Sequence, residues 1–459
     1  MTTRGNLVYG LLLFLTILLA SPLFFYKLGQ SSLDSFDEAW YAAVAGNIRL
    51  TRDPLNLYFN GSRFADHPPA GFWLMAITQT IFGNHEFGSR AASAFLGLSA
   101  LVLVFVLGRQ LVSSSVGLAS AVALSSSPWF IYRARSGNLD VTLTFFFILT
   151  FILALKSSRN KKYLLPFSLS LAFLFLTKTM VPFTILPSLI IIFWKSPVLF
   201  TAEFFASLTL TLTLTLAWLF SQLLHYPGFI AKYFTIGLPP SKPATIKENI
   251  LLTKTYIHEG IGNWFLPSVI ALPASLFFIR HKNILAVIIF ILVFLLPFAL
   301  SSRGQIWHLV PLHPFLILIF FSVLFLILKP LSKGHYSLLS SFLITLSLFI
   351  SGPQIMRNWH TFIDIPAYVS SEAILSREAA KYPYSLSIDD RFLPAAVYYS
   401  KKVVNDLPTP DFKSYFNNSK PLLLITHQWR LDQNLSITTR YQILKKDRDM
   451  VLILIKASP

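Results

Sequence analysis

About eleven apolar stretches, each close to the length of a membrane span, dominate this sequence. A helix needs about 20 apolar residues to cross the hydrocarbon core of a bilayer. The stretches cover approximately residues 7–27, 88–108, 114–132, 139–155, 162–177, 180–194, 198–222, 263–279, 284–301, 306–328 and 336–353. Hydrophobic residues fill 54% of the 459 positions and charged residues only 13%, which is typical of an integral membrane protein. The sequence therefore predicts a polytopic α-helical membrane protein with about 11 (11–13) transmembrane helices.

The distribution of positive charge predicts the orientation. A net charge of +18 is compatible with nucleic-acid binding, but no basic stripe or RNA-binding motif accompanies it, so no nucleic-acid partner is expected. If the N-terminus is cytoplasmic, the loops on that side carry no acid and eleven basic residues, as the positive-inside rule requires. These are Arg4, Arg109, Lys156, Arg159, Lys161, Lys162, Lys195, Arg280, Lys282, Lys329 and Lys333. We expect a multi-pass protein of the plasma (inner) membrane whose first stretch is a retained anchor rather than a cleaved signal peptide.

Residues 354–459 differ from the rest in composition. An odd number of spans places them on the extracytoplasmic side, and their apolar runs are short. Strand-like runs occur at 385–388, 421–426 and 450–455, and helical patterns at 368–381 and 393–400. We therefore predict two domains, a membrane domain over 1–353 and a small soluble α/β domain over 354–459. The tail contains no phosphate loop, zinc motif or nucleophile elbow, so it is assigned no catalytic role.

The loop over residues 28–87 contains an acidic pair, Asp37-Glu38, directly after the first stretch. Carboxylates at a membrane boundary are costly and frequently functional, although an Asp at this position is also an ordinary helix N-cap. The pattern predicts one amphipathic surface helix that opens at this pair and a second that follows His67-Pro68-Pro69. The chain has no cysteine, which excludes disulfides, thiolate metal sites and thiol nucleophiles.

Three further polar segments fall on the same predicted side. The first segment, 132–140, contains two arginines and ends in Asp140; the second, 175–182, contains Lys178; the third, 301–314, contains Arg303. Each has an ordinary structural explanation when taken alone, as a capped loop or as an interfacial anchor whose charged end reaches the headgroups. Their order along the chain, together with the acidic pair, is more informative than any single segment.

Taken together, these segments resemble the GT-C glycosyltransferases, in the branch that contains the protein O-mannosyltransferases and the bacterial aminoarabinose transferases that modify lipid A. The motifs Asp-Glu-x-x-Tyr-Ala, Lys-Pro-Pro, an Arg-rich loop ending in Asp, Leu-Thr-Lys-Gly-Pro and Ser-x-x-Lys-x-x-x-Tyr-x-x-Pro-x-x-Pro are similar to 37–42, 67–69, 133–140, 176–181 and 301–314. This chain departs from them at His67, which replaces the lysine, at Thr179-Met180, which replace Gly-Pro, and at Trp307-His308, where a tyrosine is usual.

The resemblance implies an inverting hexosyl- or pentosyltransferase that moves a sugar from a polyprenyl-phosphate donor to a hydroxyl of a lipid, glycan or protein in the cell envelope. An acceptor hydroxyl needs a carboxylate to take its proton, and Asp37 is the first candidate. Asp140 would orient the acceptor or share that role, and Glu38 would position the helix or contact the sugar. The leaving phosphate needs nearby cations, and the candidates are Lys178, His67 and Arg303. The candidate substrate contacts are Tyr41, Arg133, Arg135, Trp307 and His308. No cofactor is required by this chemistry and no metal site is assigned, although a divalent metal is not excluded.

Two other classes are compatible with a basic polytopic chain. A transporter or lipid flippase should show internal repeats and polar groups near the bilayer midplane. The sequence has no clear repeat, and Glu203 is the only other acid within a predicted span, near its cytoplasmic end. A receptor whose tail binds a partner would leave the acids at Asp37 and Asp140 without a role.

Overall fold

The computed structural model describes residues 3–235, 245–301, 304–389, 393–406, 416, 420–433 and 441–456. The helices of these residues are α1 Thr3–Phe25, α2 Asp37–Thr51, α3 Ala70–Phe82, α4 Glu86–Leu111, α5 Ser114–Leu124, α6 Pro128–Ala134, α7 Asp140–Ser157, α8 Leu164–Phe175, α9 Leu186–Phe193, α10 Ala202–His225, α11 Phe229–Thr235, α12 Ile246–Ile261, α13 Phe265–Ala274, α14 Lys282–Leu300, α15 His313–Leu331, α16 Tyr336–Asn358, α17 Ser371–Ala379, α18 Leu393–Ser400 and α19 Gln428–Asp432. The strands are β1 Tyr58–Phe59, β2 Ser62–Arg63, β3 Ser385–Ile388, β4 Val404–Asp406, β5 Leu422–His427, β6 Tyr441–Asp447 and β7 Met450–Ile455.

Eight helical segments among the described residues are long and apolar enough to cross a membrane. They are Leu7–Phe25, Glu86–Leu111, Asp140–Ser157, Ala202–His225, Ile246–Phe278, Lys282–Leu300, Ile306–Leu331 and Tyr336–Ile363. Three shorter apolar helical segments accompany them, at Ala70–Phe82, Ser114–Leu124 and Val181–Phe193. The predicted polytopic helical architecture is therefore confirmed, whereas the count of eleven spans stays a prediction.

By their internal contacts the residues fall into two compact units. The first, called the helical unit here, comprises Met1–Lys27, Ala65–Gly71 and Ala91–Ile365. The second, called the sheet unit, comprises Leu28–Phe64, Phe72–Arg90 and Pro366–Pro459, so it contains most of the first long loop together with the tail. The domain boundary drawn at residue 353 from composition remains a prediction.

Within the helical unit, the apolar stretch over 114–132 is divided into α5 and α6 by Ser125–Ser127. Pro128 occupies the first turn of α6, where its missing N–H and fixed φ are tolerated. The hydroxyls of Ser125 and Ser126 bond back to the carbonyls of Val122 and Ala123, at 2.7 Å each. The break makes α6 a separate helix of seven residues that carries Arg133 in its last turn.

Within the sheet unit, five strands form one sheet in the order β4-β3-β5-β7-β6. β3 is parallel to both β4 and β5, whereas β7 is antiparallel to β5 and β6. Strands β5 and β7 are almost completely buried, because β5 begins with four apolar residues and all six residues of β7 are apolar. The predicted C-terminal α/β fold is present.

Candidate functional site

A buried ion triad in the helical unit centres on Asp140, the first residue of α7. Its Oδ2 accepts hydrogen bonds from Arg133 Nε at 2.9 Å and Nη2 at 2.6 Å, and its Oδ1 accepts one from Lys178 Nζ at 2.5 Å. Asp140 is only 1% exposed, and both basic side chains are largely buried. Since a buried charge is costly unless it is paired, the three groups hold one another in place.

The turn between α6 and α7 fixes the spacing of Arg133 and Asp140. Asn138 accepts the backbone N–H of Asp140 through Oδ1 at 2.8 Å and donates through Nδ2 to the carbonyls of Arg133 and Ser136. Short polar side chains satisfy backbone groups in this way at turns and helix starts. The Asn is therefore part of the motif's geometry, although the sequence reasoning gave it no role.

Lys178 lies in the turn between α8 and the 3₁₀ helix over Val181–Ile185. Two residues before Lys178, the carbonyl of Leu176 accepts a hydrogen bond of 2.9 Å from the backbone N–H of Ala70. This bond connects the turn to the segment that contains His67-Pro68-Pro69. The tie explains how two motifs more than a hundred positions apart in the chain come to the same place.

His67 lies close enough to the triad to respond to its charges. Burial of the imidazole, with smaller contributions from the charge of Lys178 and from His308, lowers the pKa of His67 from 6.5 to about 3, while Asp140 acts in the opposite sense. His67 is therefore neutral at physiological pH and can hydrogen-bond a phosphate without adding charge. The triad itself contains two cations and one carboxylate.

An aromatic layer covers the guanidinium of Arg133. The ring of Trp307 contacts the guanidinium, with 5.6 Å between the guanidinium carbon and the ring centroid. Trp129 stacks on Trp307, with 6.2 Å between the ring centroids. His308 follows in the chain, and its Nδ1 accepts the backbone N–H of Gln305 at 3.2 Å. The structure thus brings Arg133, Trp307 and His308 to one site with Lys178, whereas Arg303 lies outside the described residues.

An apolar cavity of about 250 Å³ opens beside the Lys178 turn. Its lining includes Leu176 and Met180, two residues on either side of the lysine, and further apolar side chains from α10 and α11. The complete lining is Phe175, Leu176, Met180, Phe183, Leu212, Thr215, Leu216, Trp218, Leu219 and Tyr233. Such an apolar lining suits a hydrocarbon chain, and Lys178 lies in the chain between two of the lining residues.

In the sheet unit, α2 begins at Asp37 as predicted, with Phe36 rather than Asp37 at the N-cap. Asp37 is half-buried, and the buried carboxylate of Glu38 is bound by Arg90 through Nε–Oε1 at 2.9 Å and Nη2–Oε2 at 2.7 Å. The same guanidinium donates to the carbonyls of Leu28, Ser31 and Ser32. This geometry supports the helix-positioning alternative for Glu38, and its catalytic role stays a prediction.

Two predicted substrate contacts, Tyr41 and Arg135, also have structural partners, and their contact with substrate stays a prediction. Tyr41 is 7% exposed and packs edge-on against Phe72 at 5.4 Å. Arg135 donates to the carbonyls of Leu23 and Tyr26, at the end of α1. Arg90 was missed because it lies in a stretch that reads as a span, where an ionisable residue should itself have been a signal.

No group of three or more His, Asp or Glu side chains that could hold a metal ion occurs among the residues the structure describes. The expectation that the reaction requires no metal ion stays a prediction.

Comparison with known proteins supports the resemblance. Residues 66–221 match the family described as dolichyl-phosphate-mannose-protein mannosyltransferase. The chain is 30% identical over 236 residues to an uncharacterised protein of Aquifex aeolicus, covering 50% of this chain and 45% of that protein. It is 35% identical over 117 residues to undecaprenyl phosphate-alpha-4-amino-4-deoxy-L-arabinose arabinosyl transferase 1 of Pseudomonas fluorescens, covering 25% of this chain and 21% of that one. The matches thus span less than half of these relatives.

Solved structures extend the similarity to the whole chain. ArnT of Cupriavidus metallidurans bound to undecaprenyl phosphate superposes with a TM-score of 0.74 over 100% of both chains, at 15% identity. The oligosaccharyltransferase of Archaeoglobus fulgidus gives 0.58 over 90% of this chain and 67% of its own, at 12% identity. A membrane transporter is not favoured by these matches. The chain has the GT-C fold of these solved structures, and parts of its sequence are similar to the protein mannosyltransferase family and to the aminoarabinose transferases.

Proposed function

We propose that this protein is a membrane glycosyltransferase that binds the phosphate of a polyprenyl-phosphate-linked sugar at Lys178 and Arg133. The observation that carries the proposal is the buried triad with Asp140, which places the cations of Arg133 and Lys178 together in a poorly hydrated site, with an apolar cavity beside the Lys178 turn. Buried cations attract an anionic ligand strongly, because little water screens them. A phosphate bound there can direct its hydrocarbon chain along Leu176 and Met180.

The proposed reaction breaks one bond and forms one. The acceptor hydroxyl oxygen attacks the anomeric carbon on the side opposite the phosphate, and its proton passes to a carboxylate. The bond between the anomeric carbon and the phosphate oxygen breaks, and its electron pair leaves with the polyprenyl phosphate. Attack from the opposite side inverts the anomeric configuration. The cations stabilise the negative charge that develops on the leaving oxygen.

The proton acceptor is assigned to Asp37 on the strength of the resemblance. Asp140 is less suited to that task, since both of its oxygens are occupied by Arg133 and Lys178. Its geometry fits a positioning residue that orients the two cations. Arg90 fixes Glu38, the residue after Asp37, and so restrains the first turn of α2.

The proposal includes the orientation and the partners. The N-terminus is cytoplasmic and the tail extracytoplasmic, as the basic loops predict. The acceptor is a lipid, a glycan or a protein of the cell envelope. The donor sugar is a pentose or a hexose. Support for the lipid carrier comes from ArnT of Cupriavidus metallidurans, which shares the fold and whose crystal structure contains undecaprenyl phosphate.

The test is transfer from radiolabelled polyprenyl-phosphate sugars, pentose and hexose, into membrane lipids and proteins. The purified protein is compared with Asp37→Asn and with Asp53→Asn, a control acid of the same loop, at matched expression and folding. Loss of a general base slows transfer by roughly 10²- to 10⁴-fold, and donor binding should survive in Asp37→Asn. If the native protein neither transfers nor binds any donor, the glycosyltransferase assignment is wrong.

A further inference from the structure

A second cavity of the helical unit, of about 480 Å³, has no role in the proposed reaction. It lies between α12, α13 and α16, and the first residue of α6 forms part of its wall. Its lining includes Glu259, Phe265, Leu266, Gln354, Arg357, Asn358 and Phe362. None of these residues belongs to the ion triad or to the apolar cavity beside Lys178.

The floor of this cavity is polar, and its side-chain amides are hydrogen-bonded to the backbone. Buried Gln354 donates to the carbonyls of Ser126 and Ile261 and accepts the backbone N–H of Asn263. Buried Asn358 donates to the same carbonyl of Ser126, at 2.7 Å. A floor whose amides are already bonded is pre-organised, so a ligand need not order it.

The walls carry two opposite charges that do not pair with each other. Glu259 lies in the last turn of α12, where the helix dipole disfavours an acid, and it forms no ion pair within the described part of the chain. Arg357 is exposed in the last turn of α16 and donates through Nη2 to Asn263 Oδ1 at 2.6 Å. Because a guanidinium has five N–H donors, this bond leaves a fork available for a bidentate acceptor.

A ligand that satisfies both walls carries an anionic phosphate for Arg357 and a cationic group for Glu259. The cationic group is better matched by an ammonium than by a quaternary amine. Quaternary amines select several open aromatic faces, whereas both rings of this cavity already pack against a neighbouring ring: Phe265 forms a T-shaped pair with His258 at 5.0 Å, and Phe362 packs on Tyr132 at 5.4 Å.

The rim of the cavity is apolar on the side of α13. Leu266 is 63% exposed, and Val269 and Ile270 continue the exposed apolar surface along that helix. Since α12–α13 and α16 belong to segments long and apolar enough to cross a membrane, this surface suits acyl chains. We propose that the cavity binds the phosphoethanolamine headgroup of a membrane phospholipid, with its phosphate at Arg357, its ammonium at Glu259 and its acyl chains along Leu266.

The proposal is tested by photocrosslinking in lipid nanodiscs. The native protein is reconstituted in phosphatidylglycerol nanodiscs that contain a trace of photoreactive phosphatidylethanolamine, phosphatidylcholine or phosphatidylglycerol, and the crosslinked peptides are mapped by mass spectrometry. The test variant is Glu259→Gln/Arg357→Gln. The matched control is Lys161→Gln/Glu203→Gln, which removes one cation and one anion from an exposed pair elsewhere in the helical unit.

We expect the ethanolamine lipid to label peptides of α12, α13 or α16 at least fivefold more than the other two lipids, and the test variant alone to lose this preference. Equal labelling by all three lipids, or an unchanged preference in the test variant, would overturn the proposal. Unlabelled phosphatidylethanolamine should compete, whereas free phosphoethanolamine at the same concentration should not. Equal competition by the free headgroup would overturn the assignment to a membrane lipid. Folding of the variants is checked by their elution as a single species.

Discussion

The hydroxyl of Tyr399 accepts a hydrogen bond of 2.7 Å from the backbone N–H of Leu33, four residues before Asp37. The same hydroxyl donates to Glu86 Oε1 at 3.0 Å. A neighbouring backbone bond, from the N–H of Ser32 to the carbonyl of Tyr368, measures 3.0 Å. Within the sheet unit, the C-terminal tail therefore holds the segment that leads into α2.

This contact predicts that Tyr399→Phe impairs catalysis. The change leaves the buried N–H of Leu33 without its acceptor, which costs about 1–3 kcal/mol locally and loosens the approach to Asp37. We expect kcat to fall while the KM for the donor stays unchanged, as measured by steady-state transfer. Tyr398→Phe removes a hydroxyl from the same helix, one bonded to Ser89 instead, and serves as the control. Equal kinetics for the two variants would contradict a positioning role for Tyr399.

The pair of Glu38 and Arg90 predicts a large effect on stability. Both side chains are nearly buried, so Glu38→Ala leaves a guanidinium without its carboxylate. Such a change costs about 3–5 kcal/mol, and we expect a clear fall in Tm of the detergent-solubilised protein. Glu203→Ala breaks an exposed pair with Lys161 and should leave Tm almost unchanged. A Tm for Glu38→Ala equal to that of the control would show that the pair is not structural.

Lys178→Met is predicted to weaken donor binding. The variant loses a charge-assisted hydrogen bond to phosphate, worth about 1.5–3 kcal/mol, so the Kd for the polyprenyl-phosphate sugar should rise by roughly 10- to 100-fold. Asp140 keeps Arg133 as a partner, which limits the loss of stability. Lys254→Met on the exposed face of α12 is the control. Unchanged donor affinity in Lys178→Met would remove the lysine from the phosphate site.

The lowered pKa of His67 predicts a pH dependence of stability. Its pKa is about 3 in the folded protein and 6.5 ordinarily, so between these values the unfolded chain binds more protons. Acidification from pH 7 to pH 5 should therefore cost about 2 kcal/mol of unfolding free energy through this residue. His67→Gln should show a shallower fall of Tm over that range than the native protein, whereas His335→Gln at an exposed turn should not. Identical slopes for native protein and His67→Gln would argue against a buried neutral imidazole.

Local sequence pattern was sufficient to predict several elements of the C-terminal α/β fold. The predicted strands over 385–388 and 450–455 and the helix over 393–400 agree with β3, β7 and α18 to the residue. β4 was missed because it is a three-residue strand at the sheet edge, and β6 because lysines interrupt its apolar pattern. α12 was missed because its polar face breaks the hydropathy that marks a span.

In the site, too, the sequence predicted which residues matter but not how they pair. The side chains of Arg133, Asp140 and Lys178 could be selected from motif order, and the structure brings them together. Their mutual pairing could not be predicted, since 38 residues separate Asp140 from Lys178. The partner of Glu38 was equally inaccessible, because Arg90 is 52 positions away and no periodicity links the two.

The break between α5 and α6 sets the position of the site's guanidinium. The carbonyl of Ser126 is held there by the side chains of Gln354 and Asn358, and its hydroxyl accepts the indole N–H of Trp264. If residues 125–127 continued α5 as regular helix, the direction and position of α6 would change, and Arg133 would lose its place beside Asp140. The three serines and Pro128 therefore determine where α6 begins, and with it the position of Arg133.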